Sequence, residues 1–137
     1  MEIRRCDNIS IQRVKYFILA AVVLFAGLLI YLIYRPNSYI SKLVLRLIPL
    51  YIPKNPPLAG RRFLRFYIAD YLWAFGLSCC LRCILTDKSQ KKLCFAITSF
   101  MGIIYEFMQC FDIIPGTGDI CDCVLYLLAG LTVSILN

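Results

Sequence analysis

An unbroken apolar stretch near the amino terminus constrains the fold of this chain more than any other feature. It runs from Tyr16 to Tyr34, nineteen residues without a charge, with Lys15 before it and Arg35 after it. A helix of that length is close to the roughly 20 residues that cross the ~30 Å hydrocarbon core of a bilayer. A cleaved signal peptide is the competing interpretation, but the stretch is longer than a typical apolar signal region and has no clear small-residue cleavage site. The segment is therefore predicted to be a retained membrane-spanning helix.

Three further apolar blocks follow, at about residues 67–85, 93–111 and 118–136. Each has close to the length of a spanning helix. The composition agrees, because 61% hydrophobic residues and a mean hydropathy of +0.74 exceed the values of an ordinary soluble domain. The sequence thus predicts an all-α, polytopic membrane helix bundle, a single domain over residues 1–137 with four transmembrane helices, the first at 16–34.

The longest connection, residues 35–66, contains five prolines and seven of the fifteen basic residues. Within its segment 39–52, Lys42 and Arg46 lie four residues apart and share one helical face, whereas the apolar residues lie mostly elsewhere. This pattern predicts a helix lying in the membrane interface. A re-entrant segment is the alternative, since the piece is too short and too charged to cross as a fifth span.

Orientation follows from the basic residues that flank the spans, which favour the cytoplasmic side. Four spans place both termini on one side of the membrane. Eight basic residues lie on that side, compared with seven in the long connection on the other side. The first span usually dominates, so both termini are expected in the cytoplasm.

Several function classes receive no support. The net charge of +7 comes from Lys and Arg beside the spans, and these attract anionic lipid headgroups; no basic and aromatic module for nucleic acid is present. Most of the eight cysteines lie in or beside the spans as small apolar fillers. Cys80 and Cys83 have CxxC spacing, but the chain has no His and no second CxxC, so neither a metal nor a cofactor is expected. No nucleophile with an adjacent base is evident, which favours binding over catalysis while leaving enzyme activity open.

The acidic residues are more informative. Antiparallel crossing brings the start of the second span, the end of the third and the start of the fourth to one membrane face. Five of the eight acids then lie at that face. The polar residues that converge there are Asp70, Glu106, Gln109, Asp112, Asp119 and Asp122.

The spacing of these residues sharpens the prediction. Glu106 and Gln109 are three residues apart, as are Asp119 and Asp122, so each pair shares a helical face. The turn at 115–118 has the Pro and Gly residues that tight turns prefer, and Thr117 is predicted to cap the fourth helix, which places Asp119 in its first turn.

Glu106 lies deepest, and an intramembrane acid is a functional-site hypothesis by default. A structural hydrogen bond, to Gln109 or to a group across the bundle, is its alternative. Asp70 has an alternative too, as one half of an ion pair with Arg61, Arg62 or Arg65.

These residues resemble the signature of the VanZ-like integral membrane proteins. The resemblance is carried by EFMQ at 106–109, IPGTGDICD at 114–122, Tyr126 and Gly130, and more loosely by YRP at 34–36 and ADYLWAF at 69–75. The chain departs from the commoner pattern in having no basic residue between Gln109 and Asp119, and in having Gly118 where a bulky residue is frequent.

The resemblance implies a bacterial cytoplasmic (inner) membrane protein with four or five spans, associated with the cell envelope or with tolerance of the glycopeptide teicoplanin, but with no established biochemical activity. The expected partners are membrane lipids and a cell-envelope precursor or glycopeptide. Alternatives are a small membrane enzyme or cation- or proton-handling protein that uses Glu106 and Asp119, and a purely structural accessory subunit. The candidate binding cluster comprises Asp70, Glu106, Gln109, Thr117, Asp119, Asp122 and Tyr126.

Overall fold

The computed structural model describes residues 2–36, 39–48 and 67–136. These residues form α-helices and no strands, so the all-α prediction is confirmed for them. A short 3-10 turn, Lys88–Gln90, precedes the fourth helix. The helices are α1 (Glu2–Tyr34), α2 (Tyr39–Leu47), α3 (Ala69–Ile84), α4 (Lys91–Cys110) and α5 (Ile120–Ile135).

Two of these helices are long and apolar enough to cross a membrane. They are Ile9–Tyr34 within α1, with a mean hydropathy of 2.7, and Lys91–Cys110, with a mean hydropathy of 1.4. Helices α3 and α5 have 16 residues each. At 1.5 Å per residue they are about 24 Å long, less than the roughly 30 Å of a hydrocarbon core. Of the four predicted spans, two therefore have the dimensions of a membrane-crossing helix, and the other two form shorter helices than predicted.

Helix α3 occupies the centre of the bundle. It packs against α1, α4 and α5, and α5 also packs against α4. The core lies mainly where α1, α3 and α5 meet. Its buried members are Tyr16, Ala20, Ala74, Phe75, Cys79, Tyr126, Ala129 and Val133.

Small residues allow the helices to approach closely. A Cβ atom on Gly76 of α3 would lie 2.5 Å from the Cδ2 of Leu24 in α1, so the Leu24 side chain lies directly against the α3 backbone. Two residues further along α3, the hydroxyls of Ser78 and Thr98 are 2.8 Å apart and join α3 to α4 in a buried hydrogen bond. Small residues at contacts, with hydroxyls bonded across them, are typical of helices that pack within a membrane.

Arg82 bonds to the carbonyl oxygens that follow α3. Its side chain is 2% exposed, and its Nη1 donates to the carbonyl oxygens of Leu85 at 2.5 Å and Asp87 at 3.2 Å. The guanidinium also lies 5.6 Å from the ring centroid of Tyr16 in α1. Carbonyls at a helix end have no partner within the helix, and here an arginine satisfies them and stabilises the turn that follows.

Replacing Arg82 by Met is expected to lower the free energy of unfolding by about 1 to 2 kcal/mol, because the Leu85 and Asp87 carbonyls lose their donor while the apolar stem is retained. Thermal unfolding in detergent micelles measures the change. Lys92→Met is the matched control, since Lys92 is exposed on α4. Equal stability of the two variants would contradict the assigned role of Arg82.

Helix α2 covers part of the segment predicted to lie in the interface. The helix is confirmed for Tyr39–Leu47, and positions 49–52 of the prediction lie outside the described residues. The Ser41 hydroxyl donates to the Arg35 carbonyl at 2.8 Å, which fastens α2 to the end of α1. Lys42 and Arg46 are exposed, as an interfacial helix requires. Its placement in the membrane interface stays a prediction.

Candidate functional site

A cavity of about 530 Å³ lies where the ends of α1 and α4 meet the starts of α3 and α5. Its volume falls within the range of small-molecule sites. All the residues of the predicted polar cluster lie on its wall, although they come from three helices and the turn between α4 and α5. They are Asp70, Glu106, Gln109, Thr117, Asp119, Asp122 and Tyr126. That they bind a ligand stays a prediction.

Glu106 is buried, with 4% of its surface exposed. Its Oε1 accepts a hydrogen bond from the Tyr126 hydroxyl at 3.1 Å, and its Oε2 accepts one from the Asp119 backbone N–H at 3.0 Å. Tyr126 lies in α5 and Asp119 directly precedes it, so the Glu106 carboxylate joins α4 to α5. The hydrogen-bond partners of Glu106 are therefore groups across the bundle, and not Gln109.

Gly102 makes the bond between Glu106 and Tyr126 possible. A Cβ atom at position 102 would lie 2.3 Å from Cγ and Cδ2 of the Tyr126 ring. The ring therefore lies directly against the backbone of α4. Because Glu106 follows Gly102 by about one helical turn, the hydroxyl of this ring reaches its carboxylate.

Asp119 caps α5, so the prediction that Thr117 is the cap is wrong. The Asp119 side chain accepts from the Cys121 N–H at 2.9 Å, and its backbone is extended, with φ −129° and ψ 126°. The reason is the close packing of the preceding turn, where a Cβ atom on Gly118 would lie 2.9 Å from the Glu106 carbonyl oxygen. With the Asp119 N–H already bonded to Glu106, the helix begins at Ile120, two residues later than a Thr117 cap requires, and Asp119 is its cap and not part of its first turn. Thr117 lies on the cavity wall instead.

Asp70 forms an ion pair across the bundle. Its Oδ2 lies 3.4 Å from Nη2 of Arg35, and both side chains are largely buried, at 16% and 22% exposure. Arg35 also donates from Nη1 to the Tyr31 hydroxyl at 2.8 Å. The partners expected from the sequence, Arg61, Arg62 and Arg65, lie outside the described residues.

Asp122 differs from the other acids. Its Oδ1 is enclosed and has no hydrogen-bond partner within residues 2–36, 39–48 and 67–136. A buried polar atom without a partner is costly and is rare in native structures. Of the carboxylates on the described wall, that of Asp122 is therefore the least engaged by partners in the described chain.

The charge of the cavity wall is mainly negative. Its described residues include four carboxylates, those of Asp70, Glu106, Asp119 and Asp122, and one guanidinium, that of Arg35. Attraction between charges is stronger in a partly buried site than in bulk water. The wall therefore favours a group that carries positive charge and N–H donors.

The cysteines lie largely apart from this chemistry. The seven cysteines from Cys79 to Cys123 are free thiols, with Cys79 and Cys94 buried and Cys80 exposed. Within the described parts of the chain, no group of three or more His, Cys, Asp or Glu residues has the arrangement of a metal site.

Sequence reasoning missed several residues of the wall, among them Tyr31, Arg35, Gly102 and Tyr105. A signal for Arg35 was available. In an antiparallel bundle the end of the first helix lies at the same end as the start of the second, so Arg35 and Asp70 belong to one end by topology alone. Gly102 precedes Glu106 by four residues and so shares its helical face, but the ring that lies against it could not be identified from spacing.

Comparison with known proteins adds no relative: no family model, no curated protein and no solved structure matches the chain. The cavity geometry and the motif residues are therefore the observations on which a function can be argued.

Proposed function

We propose that this chain is a VanZ-like protein of a bacterial cytoplasmic membrane, and that its acidic cavity binds a cationic or polar group of a cell-envelope molecule. Through that binding it modulates the envelope or the tolerance of a glycopeptide such as teicoplanin. The observation that carries the proposal is the cavity itself. Four carboxylates and one guanidinium line it, and the enclosed Asp122 Oδ1 has no partner among the described residues.

The motif residues support the VanZ-like part of the proposal. The acids of the EFMQ and DICD stretches, Glu106, Asp119 and Asp122, come together on one wall. Their roles are unequal, since Glu106 and Asp119 have partners within the protein whereas Asp122 Oδ1 has none. The binding role therefore belongs first to Asp122.

Four membrane crossings are part of the proposal, with α3 and α5 as short spans. Helices of about 24 Å are accommodated by local thinning of the bilayer at a modest cost. Antiparallel crossing then places the turn between α3 and α4 on the cytoplasmic face and the start of α5 on the outer face.

Cysteine labelling tests this topology. In a chain with its other cysteines replaced by Ser, a membrane-impermeant maleimide is expected to label Cys121 in intact cells, because Cys121 is exposed at the start of α5. A second variant with Ser89→Cys, at an exposed position between α3 and α4, is expected to react only after permeabilisation. Labelling of both positions from the same side would contradict a crossing by α4.

Substitution at the site tests the binding function. Expression in a glycopeptide-susceptible host is expected to raise the inhibitory concentration of teicoplanin, and Asp122→Asn and Asp119→Asn are expected to abolish the increase at unchanged membrane abundance. Asn retains the shape of both side chains and caps a helix as well as Asp does. Asp112→Asn is the matched control, because Asp112 lies at the same end of the bundle, is exposed and is not on the cavity wall. Full tolerance in the Asp122 and Asp119 variants would contradict the proposal.

A structural accessory role is the second candidate, and one observation favours it. Both Glu106 oxygens are used to join α4 to α5, which is the arrangement of a helix tie. On this alternative, the variants at positions 119 and 122 lose tolerance only in proportion to lost abundance. Quantitative immunoblots of membrane fractions separate the two functions.

A further inference from the structure

The wall of the cavity is polar at one end and apolar at the other. Asp70 lies in the first turn of α3, and Leu77 lies seven residues further along, about 10 Å away at 1.5 Å per residue. On α4 the order runs the same way in space, because Met101 lies about 7 Å along the axis from Glu106. The acids thus lie at the bundle end, and Trp73, Leu77 and Met101 line the part nearer the middle of the bundle.

The apolar part of the wall also reaches the outer surface. Leu77 is 39% exposed, Met101 53% and Tyr105 48%, although all three line the cavity. Leu77 belongs to α3, and Met101 and Tyr105 belong to α4. Helices α1 and α4 both border the cavity but do not form one of the extensively packed helix pairs of the described chain. In a membrane this surface faces lipid, so the site is accessible sideways from the bilayer.

The polar end has an acceptor to offer a ligand. Glu106 is bonded to Asp119 and Tyr126, whereas the enclosed Oδ1 of Asp122 has no partner in the described chain. Arg35 adds a single cation among the acids of the described wall. Opposite charges on one wall match a headgroup that carries both an ammonium and a phosphate.

We infer that the occupant is a membrane phospholipid whose headgroup ends in a primary ammonium. This inference rests on the proposed function and deepens it. The lipid enters between α1 and α4, its ammonium donates to Asp122, and one acyl chain lies against Leu77 and Met101. A primary ammonium brings three N–H donors, which a trimethylated headgroup lacks.

The chain contains its own reporter, because Trp73 is its one tryptophan and lies on the cavity wall. The protein is reconstituted in nanodiscs of unlabelled phosphatidylcholine and phosphatidylglycerol. Phosphatidylethanolamine or phosphatidylcholine with brominated acyl chains is then titrated in, and quenching of Trp73 is followed. We expect the brominated phosphatidylethanolamine to quench at about tenfold lower mole fraction than its phosphatidylcholine counterpart. A tenfold difference in affinity is what one hydrogen bond to a charged group contributes.

Variants connect this preference to the site. Asp122→Asn is expected to reduce the preference to less than about threefold, because a neutral amide binds an ammonium more weakly. Asp119→Asn, which retains the helix cap, is a second variant in case the first folds poorly. Asp112→Asn, off the wall, is expected to keep the full preference. Circular dichroism and thermal unfolding verify that each variant is folded.

A second arm separates this inference from the proposed function. Water-soluble ethanolamine is added to the detergent-solubilised protein, and the emission of Trp73 is recorded for wild type and Asp122→Asn. Lipid preference that is lost in Asp122→Asn supports the inference. Equal quenching by both brominated lipids, with a response to ethanolamine that depends on Asp122, overturns the lipid inference and leaves the amine-binding cavity standing. Absence of both responses overturns the inference and the proposed function together.

Discussion

Replacing Gly102 by Ala is expected to lower the free energy of unfolding by about 3 kcal/mol, the upper end of the usual cost of overpacking a core. The added Cβ would lie 2.3 Å from Cγ of the Tyr126 ring and 2.7 Å from its Cβ. These are atoms at the base of the side chain, so no rotation of the ring tip relieves the overlap. The backbones of α4 and α5 must move apart, and the bond between Tyr126 and Glu106 must lengthen.

Gly27→Ala is the control for this prediction. The nearest atom to a Cβ at position 27 in α1 is the Leu72 Cβ at 3.5 Å, an ordinary contact. Alanine is a better helix former than glycine by about 1 kcal/mol, so the control is expected to be neutral or stabilising. Thermal unfolding of both variants in the same detergent measures the difference. If Gly102→Ala were as stable as Gly27→Ala, the ring of Tyr126 would not lie against α4 as described.

Replacing Glu106 by Ala is expected to cost about 3 to 4 kcal/mol, because it leaves two donors without an acceptor, each at roughly 1 to 3 kcal/mol. The donors are the Asp119 backbone N–H and the buried Tyr126 hydroxyl. Loss of the first also weakens the start of α5, whose cap is Asp119. Chemical unfolding in mixed micelles, compared with wild type, measures the cost.

Glu106→Gln is the matched variant, and it is expected to cost about 1 kcal/mol or less. Its amide oxygen can accept from the Asp119 N–H, and its amide nitrogen can donate to the Tyr126 oxygen, since a hydroxyl both donates and accepts. In a double-mutant cycle, Tyr126→Phe combined with Glu106→Ala is expected to cost less than the sum of the single changes, because the orphaned hydroxyl is removed. Strict additivity would show that the two side chains do not interact.

The two predictions concern one structural unit. Gly102, Glu106 and Tyr126 hold α4 and α5 at the distance that leaves the cavity open towards α1 and α3. Stability therefore depends mainly on Glu106 and Gly102, while ligand binding is proposed to depend on Asp122. Variants at these positions should separate folding from binding.

The sequence by itself determined the helical character of the chain and the end of the helix bundle at which its acids gather. Both follow from local patterns: apolar blocks predict helices, and an antiparallel order of helices places their alternate ends together. All seven residues of the candidate cluster lie on one wall for that reason. The same logic, extended to the end of the first helix, would have placed Arg35 beside Asp70.

Only the tertiary structure decided what each of these residues contacts. Spacing could not show that Glu106 bonds the Asp119 backbone, that Asp119 and not Thr117 caps α5, or that one oxygen of Asp122 lacks a partner in the described chain. Nor could it show that Arg82 bonds to the carbonyl oxygens that follow α3. The physical reason is that a helical pattern sets which face a residue occupies, whereas hydrogen bonds depend on the distance and rotation between helices. Those are set by small residues such as Gly102, whose importance lies in what packs against them.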